Sequence, residues 1–410
     1  VVLVSITSDC DWWDFIAQRV RWRPGHYKVI VGGQGVLNVR PFLEYADYFV
    51  LGRAEGVIDK LIKCIESGKR IDNKSVIESK RFDPDKKYYI NQVDDIYPHE
   101  LTLGGGKKYQ EDTIGCNHKC MYCGYTWQRK HSNKSAFEYS GLWNGGSDRE
   151  RAMIDMDNGV DVDLNKLRTT AIDGMSERLR FKANKKISRE MLRNFIERLA
   201  QCEKPHQVKF YNIIGYPSET MDDWMEFKED IKIVDSKMKK RDKQTCILLH
   251  STPFRAMPAT PWACEPMLYE NLRGQIGKRL GPQNKGNIFY QGNVLWAVES
   301  MATDSLSTVI LSTIVWRATE KDADSIRKVA LSKKFWRSSS KIKQATLENY
   351  FDVKNLFKEL SYDELPTKYL NTYSNIEKYI TNRKAVQLNG KDIITDPGGR
   401  VDPPSAGKGS

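Results

Sequence analysis

A chain of 410 residues has room for two or three domains with an ample core, and its 40% hydrophobic share is ordinary for a soluble protein. No apolar run approaches the length of a bilayer-crossing helix, which excludes a membrane-spanning role, and eight cysteines in so long a chain exclude a disulfide-built module. The formal charge of +12 fits a polyanion partner, yet the lysines are spread along the chain, and a run such as Ser236 to Lys243 reads as well as a solvated helix end.

Val1 to Thr7 is a β-branched run without a basic leader or a small-residue cleavage site, so it reads as a buried strand and not as a secretory signal. Trp12 to Arg21 follows as a helix, Tyr27 to Gly33 as a strand ending in glycines, Ala46 to Gly52 as another strand, and Gly56 to Ser67 as a helix. This β/α alternation predicts an α/β fold whose first unit, residues 1–70, is part of a doubly wound parallel sheet of Rossmann type. Gly32-Gly33-Gln34-Gly35 is a candidate phosphate cradle that lacks the full dinucleotide fingerprint. Residues 71–106 are polar, lysine-rich and poor in periodic apolar positions, and read as a connector ending in Gly104-Gly105-Gly106.

Cys116, Cys120 and Cys123 then stand together as C-N-H-K-C-M-Y-C, after Glu111-Asp112-Thr113-Ile114-Gly115. Three thiolates in one short loop can hold three corners of an iron–sulfur cube and leave the fourth iron open to a small molecule. A structural zinc site with His118 as fourth ligand is the competing reading, although such sites prefer two ligand pairs set apart by a longer loop. The other cysteines, Cys10, Cys64, Cys202, Cys246 and Cys264, are scattered singly, which points to a reducing, cytoplasmic setting. The polar tract from Gln128 to Asp163, with Gly141 to Gly146, reads first as a glycine-rich turn, with a loop-rich part of an active-site rim as the alternative.

The spacing C-x-x-x-C-x-x-C, with Tyr122 before the last cysteine, resembles the signature loop of radical S-adenosylmethionine (radical SAM) enzymes. That resemblance implies a [4Fe–4S] cluster on Cys116, Cys120 and Cys123, whose open iron takes the amino and carboxylate groups of S-adenosylmethionine. It further implies an electron donor such as flavodoxin or ferredoxin, reductive cleavage of the sulfonium, and a 5′-deoxyadenosyl radical that abstracts hydrogen from a substrate. Three later stretches extend the likeness in the same order. Leu167 to Leu179, followed by Asn184-Lys185, is similar to the family's "G-x-E-x-G-S-E-R-x-L" and "N-K", which implies that Asp173, Ser176 and Arg178 face the S-adenosylmethionine ribose and carboxylate. Ser176 reads equally as a helix N-cap.

Val208 to Thr220 looks like the fifth barrel strand and its "G-x-P-x-E-T" exit, which implies that Gly215 lets backbone approach the cofactor and Ile213 offers adenine an apolar face. Pro217 to Thr220 also makes a sound entry to a helix over Met221 to Val234. Thr245 to Leu249 is a strand, and Thr252 to Pro261 resembles "P-x-P-G-T-P", with Ala259 in the glycine place. The likeness implies a partial (β/α)6 TIM-like barrel over residues 107–290, with active groups at the carboxyl ends of its strands.

Residues 28 to 66 resemble the later half of the cobalamin-binding domain that precedes some radical SAM barrels, but no D-x-H-x-x-G is present, so cobalamin is not expected. The expectation here is a domain that either lacks upstream strands or has become a scaffold. Residues 291–395 read as a helical accessory region, with helices over Ser305 to Arg317, Asp322 to Ser332, Ser340 to Leu360 and Glu377 to Arg383, and with Trp296, Trp316 and Trp336 as core anchors. Residues 396–410 read as a disordered tail. Methylation, cyclisation and nucleobase modification all fit this reading, with a nucleic acid or a small metabolite as substrate and no membrane partner. The runner-up is a non-catalytic nucleic-acid-binding protein with a structural zinc or iron–sulfur site.

Overall fold

A computed structural model describes residues 1–22, 25–92, 101–102, 108–109, 113–114, 119–130, 132–133, 152–267, 288–301, 306–372 and 376–381. It is a mixed α/β fold with two parallel sheets, in agreement with the α/β class expected from the alternation of elements.

The first sheet runs β1 (Val2–Ser5), β2 (Val29–Gly32), β3 (Tyr48–Val50) and β4 (Val76–Glu78), in that spatial order. The first three strands are parallel, and β4 is antiparallel to β3. Helix α1 (Asp11–Arg19) joins β1 to β2, and α2 (Ile58–Glu66) lies between β3 and β4. Val29, Val31 and Phe49 point into a core with Trp12, Phe15 and Ile16 of α1, whereas Ile30 and Val50 face Val57 and Leu61 at the start of and within α2. Burial on both faces explains why β2 and β3 are apolar throughout and not alternating, whereas β1, expected to be a buried strand, lies at the sheet edge with Leu3 57% exposed. Trp12 stacks on Phe42 at 4.0 Å with a 7° interplanar angle, and it also meets Phe15 and Phe49 at 5.9 and 6.2 Å, so an aromatic cluster packs α1 against the chain after β2 and against β3.

Two sequence expectations change here. The stretch read as a connector supplies β4, and its Tyr88–Tyr89 pair in parallel with Leu370–Asn371. Only Val76 and Ile77 carry β4's apolar signal, which is too short for a pattern to register. The glycine turn after β2 is not an open phosphate cradle. Its Gly35 N–H donates to the Ile6 carbonyl at 2.8 Å, and the Gly35 carbonyl accepts from the Trp12 indole at 3.0 Å. A Cβ at Gly33, where φ is +109, would overlap the Ile6 carbonyl, so the glycines serve close packing against the segment leaving β1.

The second sheet contains β5 (Thr169–Ala171), β6 (Gln207–Ile214), β7 (Thr245–Pro253), β8 (Ile288–Gln291) and β9 (Leu295–Met301). Their spatial order is β5-β6-β7-β9-β8, with β8 antiparallel at one edge and the rest parallel. Helix α4 (Ala152–Asp157), within a tract expected to be turns, precedes β5, and helices α5 (Glu177–Lys182), α6 (Arg189–Gln201) and α7 (Met221–Ser236) form the crossovers. Val208, Phe210, Ile214, Ile247 and Leu249 pack on Leu192, Phe195, Trp224, Phe227 and Ile231. The sequence places a helical region over residues 291–395, yet the parallel sheet continues through β9. Asp235 at the end of α7 fixes that edge: its carboxylate accepts the N–H groups of Asn293, Val294 and Leu295 at 2.6, 2.7 and 2.8 Å. Among the described residues the sheet holds four parallel strands and one antiparallel edge strand. Thr113–Ile114 and Ser132–Asn133, on either side of the cysteine turn, form a separate two-residue antiparallel pair.

The C-terminal region is helical, with α8 (Leu306–Arg317), α9 (Ala323–Leu331), α10 (Lys333–Arg337), α11 (Ser340–Tyr350), α12 (Val353–Phe357) and α13 (Glu377–Thr381). The single helix expected from Ser340 to Leu360 breaks at Phe351-Asp352, where Asp352 caps α12 by accepting the Asn355 N–H at 3.2 Å. Val309, Ile310, Ile314 and Val315 of α8 enter the same core as Trp12 and Ile16. Asn38 ties the two regions together by donating to the carbonyls of Val315 and Ala318 at 3.0 and 2.8 Å. Trp316 is buried, whereas Trp296 and Trp336 are 37% and 36% exposed and are not full core anchors. No helix among the described residues is long and apolar enough to cross a membrane. Gly104 to Gly106, Gly141 to Gly146 and the tail from 396 lie outside the described residues.

Candidate functional site

Cys120 is buried, and Cys123 is half-buried immediately before helix α3 (Gly124–Gln128). Cys116 and His118 lie outside the described residues. Among the described residues no group of three or more His, Cys, Asp or Glu is placed to hold a metal ion. Two thiols on one tight turn suit an iron–sulfur cluster in donor chemistry, and the third proposed ligand lies four residues before Cys120.

The turn is held from several distant parts of the chain. Lys119 has a left-handed backbone with φ of +54, and its carbonyl accepts the Asn184 side-chain amide at 3.0 Å. Met121 N–H donates to the Ala183 carbonyl at 2.9 Å, and the Met121 carbonyl accepts Trp262 N–H at 3.3 Å. The Trp127 indole donates to the Cys120 carbonyl at 2.8 Å, and Cys123 N–H donates to that same carbonyl at 3.1 Å. Gly124 is closely approached by the ends of the Met257 and Gln128 side chains, which would have to move to admit a Cβ. Thus the Asn184-Lys185 stretch and the loop after β7 both converge on the cysteine turn.

Asp173 follows β5 with φ of +49, and its carboxylate pairs with Lys185 at 2.7 Å. The two side chains are only 14% and 9% exposed, so the pair is shielded from solvent screening. The Asp173 backbone carbonyl accepts the Tyr216 hydroxyl at 2.8 Å. Burial raises the Tyr122 and Tyr216 phenols well above their usual range, and the negative charge of Asp173 adds to it. Both phenols are therefore neutral hydrogen-bonding groups at neutral pH. Tyr122, Tyr216 and Trp262 form an aromatic cluster with ring centroids 5.3 to 6.4 Å apart, extended by Phe254.

The remaining candidates divide by position. Ser176 caps α5, its hydroxyl accepting the Leu179 N–H at 3.2 Å and donating to Asp223. Arg178 donates to Asp223 at 2.6 Å and to the Ser218 carbonyl at 2.9 Å. Both residues thereby join the start of α5 to the start of α7. Gly215 has φ of +79, and its N–H donates to the Glu219 carboxylate, which also accepts Tyr216 N–H at 3.2 Å and the Trp224 indole at 2.5 Å. Glu219 is thus the residue that folds the exit from β6. Ile213 is half-buried on the strand face away from the helices. Tyr216 and Trp262 carry no role in the sequence reading, and Glu219 enters it only as the glutamate of G-x-P-x-E-T. Their signal there was slight, an aromatic inside G-Y-P and a Glu ahead of Thr220.

Cys202 caps the far end of α6, and Cys246 starts β7, so both sit at the amino ends of the strands, away from the cysteine turn. Burial raises both thiols above their ordinary pKa. Cys264 is buried two residues after Trp262.

No protein-family model matches the chain. No curated protein matches it either. Among solved structures it is similar to the radical S-adenosylmethionine methyltransferase TsrM from Kitasatospora setae, bound to tryptophan substrate and the S-adenosylmethionine analogue aza-SAM. The two are 12% identical with a TM-score of 0.37, over 94% of this chain and 88% of that one. A likeness of that degree does not bear on function.

Proposed function

We propose that the chain is a radical SAM enzyme, in which Cys116, Cys120 and Cys123 hold a [4Fe–4S] cluster, Tyr122, Asp173, Ser176, Arg178, Ile213 and Gly215 shape the S-adenosylmethionine site, and the second sheet is part of a (β/α)6 barrel. One observation carries the reading. Sequence stretches that share no local reason to meet, around Asp173, Asn184, Tyr216 and Trp262, are hydrogen-bonded or packed around the turn of Cys120 and Cys123.

When bound, the cluster supplies the electron that splits S-adenosylmethionine and yields a 5′-deoxyadenosyl radical. The chain's own residues do the rest. Asp173, neutralised by Lys185, keeps an acceptor near the turn, and Ile213 lies on the same side of the sheet as an apolar surface. Gly215 leaves the backbone open to close approach, while Ser176 and Arg178 act through Asp223 to fix the loop that follows Asp173. Tyr122, Tyr216 and Trp262 exclude water from below the turn, as a reactive organic radical requires. The products open to such a site are those of hydrogen abstraction, including methylation, cyclisation and nucleobase modification, with a flavodoxin-like or ferredoxin-like protein as electron donor.

Anaerobic reconstitution with iron and sulfide, followed by dithionite and S-adenosylmethionine, tests the reading. The expected result is release of 5′-deoxyadenosine and methionine over a no-reductant control. A protein that takes up one zinc ion and leaves S-adenosylmethionine intact contradicts it and favours a structural metal site in a binding protein.

A further inference from the structure

The two faces of β6 and β7 differ in kind. Residues toward the helices are buried, whereas Lys209, Tyr211, Ile213, Leu248, His250 and Thr252 on the other face are half-buried. A parallel sheet covered on both sides reads as near-continuous apolar strands, so a lysine and a histidine on this face are not what packing requires. Register sets Lys209 opposite Leu248, Tyr211 opposite His250 and Ile213 opposite Thr252. The Tyr211 and His250 rings meet edge to face at 5.6 Å and 82°, and Lys209 Nζ lies 5.7 Å from the Tyr211 ring centroid.

Charge and position both point to a ligand. Lys209 forms no salt bridge with a described residue, and the carboxylate of Asp173, on the neighbouring strand's exit, is already neutralised by Lys185. The N–H groups of Ile172 and Asp173 both donate to the Tyr211 carbonyl, at 2.9 and 3.2 Å, which places Tyr211 beside the segment that leads to the cysteine turn. With a rise of about 3.3 Å per residue, Lys209 lies roughly 7 Å further down the same strand.

We propose that Lys209, Tyr211 and His250 form a subsite that takes the anionic group, carboxylate or phosphate, of a small substrate and directs the rest of that molecule toward the cysteine turn. The ammonium supplies a charge-assisted bond, the phenol supplies a further donor, and the Tyr211 ring, set edge to face against His250, gives a planar surface. The fate of the substrate rests on the radical SAM reading, but anion binding does not.

Equilibrium dialysis against radiolabelled inorganic phosphate and, separately, benzoate tests the proposal on the full chain, before and after cluster reconstitution, and the two arms tell phosphate from carboxylate. Saturable binding of one of them is expected, weakened by Lys209→Met by roughly tenfold or more and retained by Lys209→Arg within about threefold. His250→Gln is expected to weaken the same anion, which guards against a folding defect in one variant, and circular dichroism checks both. The proposal is overturned if neither anion binds the wild-type chain, or if both variants bind as tightly as wild type. Anion binding that Lys209→Met abolishes, in a chain that never cleaves S-adenosylmethionine, leaves the subsite standing and removes the cofactor reading alone.

Discussion

Replacing Cys120 with Ala is expected to abolish the visible charge-transfer band of the reconstituted protein and to lower S-adenosylmethionine cleavage by about a thousandfold or more. Cys120 is buried, its carbonyl accepts both the Trp127 indole and Cys123 N–H, and neither of those bonds uses the thiol. Ala therefore keeps the turn while removing one cluster ligand. The side chain lost is small, so a stability cost of about 1 kcal/mol is expected, too little to unfold the site. Cys202→Ala serves as the control, since Cys202 lies at the end of α6 and its loss is expected to leave colour and turnover near wild type. Retained colour in Cys120→Ala contradicts the ligand assignment.

The second large effect concerns stability. Arg317 ends α8 with a buried guanidinium that donates to the carbonyls of Leu356 and Lys358 at 2.9 and 2.6 Å, and of Ala263 and Glu265 at 3.0 and 2.7 Å. It joins the loop after β7, which carries Trp262 to the cysteine turn, to the segment after α12. Burial lowers its pKa to about 10, so the side chain stays charged at neutral pH and relies on those four carbonyls in place of water. Arg317→Met keeps much of the apolar stem but strands the carbonyls, with an expected loss of about 3–5 kcal/mol. Urea denaturation followed by far-UV circular dichroism measures it, and a loss under about 1 kcal/mol contradicts the clamp. Arg317→Lys is expected to recover only part, because an ammonium has three donors and no planar fork.

β2 and β3 of the first sheet were legible because both of their faces are buried: Val29, Ile30 and Val31 form a continuous apolar run whatever neighbours they meet. β9 was not. Leu295-Trp296-Ala297-Val298-Glu299 has no strong period of its own, and its extended form follows from pairing with β7 and from Asp235 holding the turn before it, about sixty residues away in sequence. The helix break at Asp352 could have been found from its capping residue, since an Asp followed by helix formers marks a new start.

At the candidate site, the sequence named residues by order along the chain, and the fold sorts them by contact. Asp173 and Tyr122 meet beside the cysteine turn. Ser176 and Arg178 turn instead to Asp223, a partner 47 and 45 positions away that no local pattern could reveal. Tyr216 and Trp262 were overlooked for the opposite reason, since an aromatic residue in a loop is ordinary until its neighbours across the fold are known.

Electron paramagnetic resonance of the reconstituted, dithionite-reduced chain, recorded before and after addition of S-adenosylmethionine, reads out whether Cys116, Cys120 and Cys123 hold a cluster with an open iron. A reduced [4Fe–4S] signal is expected, changing shape when S-adenosylmethionine is added and absent from Cys123→Ala. A protein without such a signal that holds a single zinc ion, or a cluster signal indifferent to S-adenosylmethionine, contradicts it.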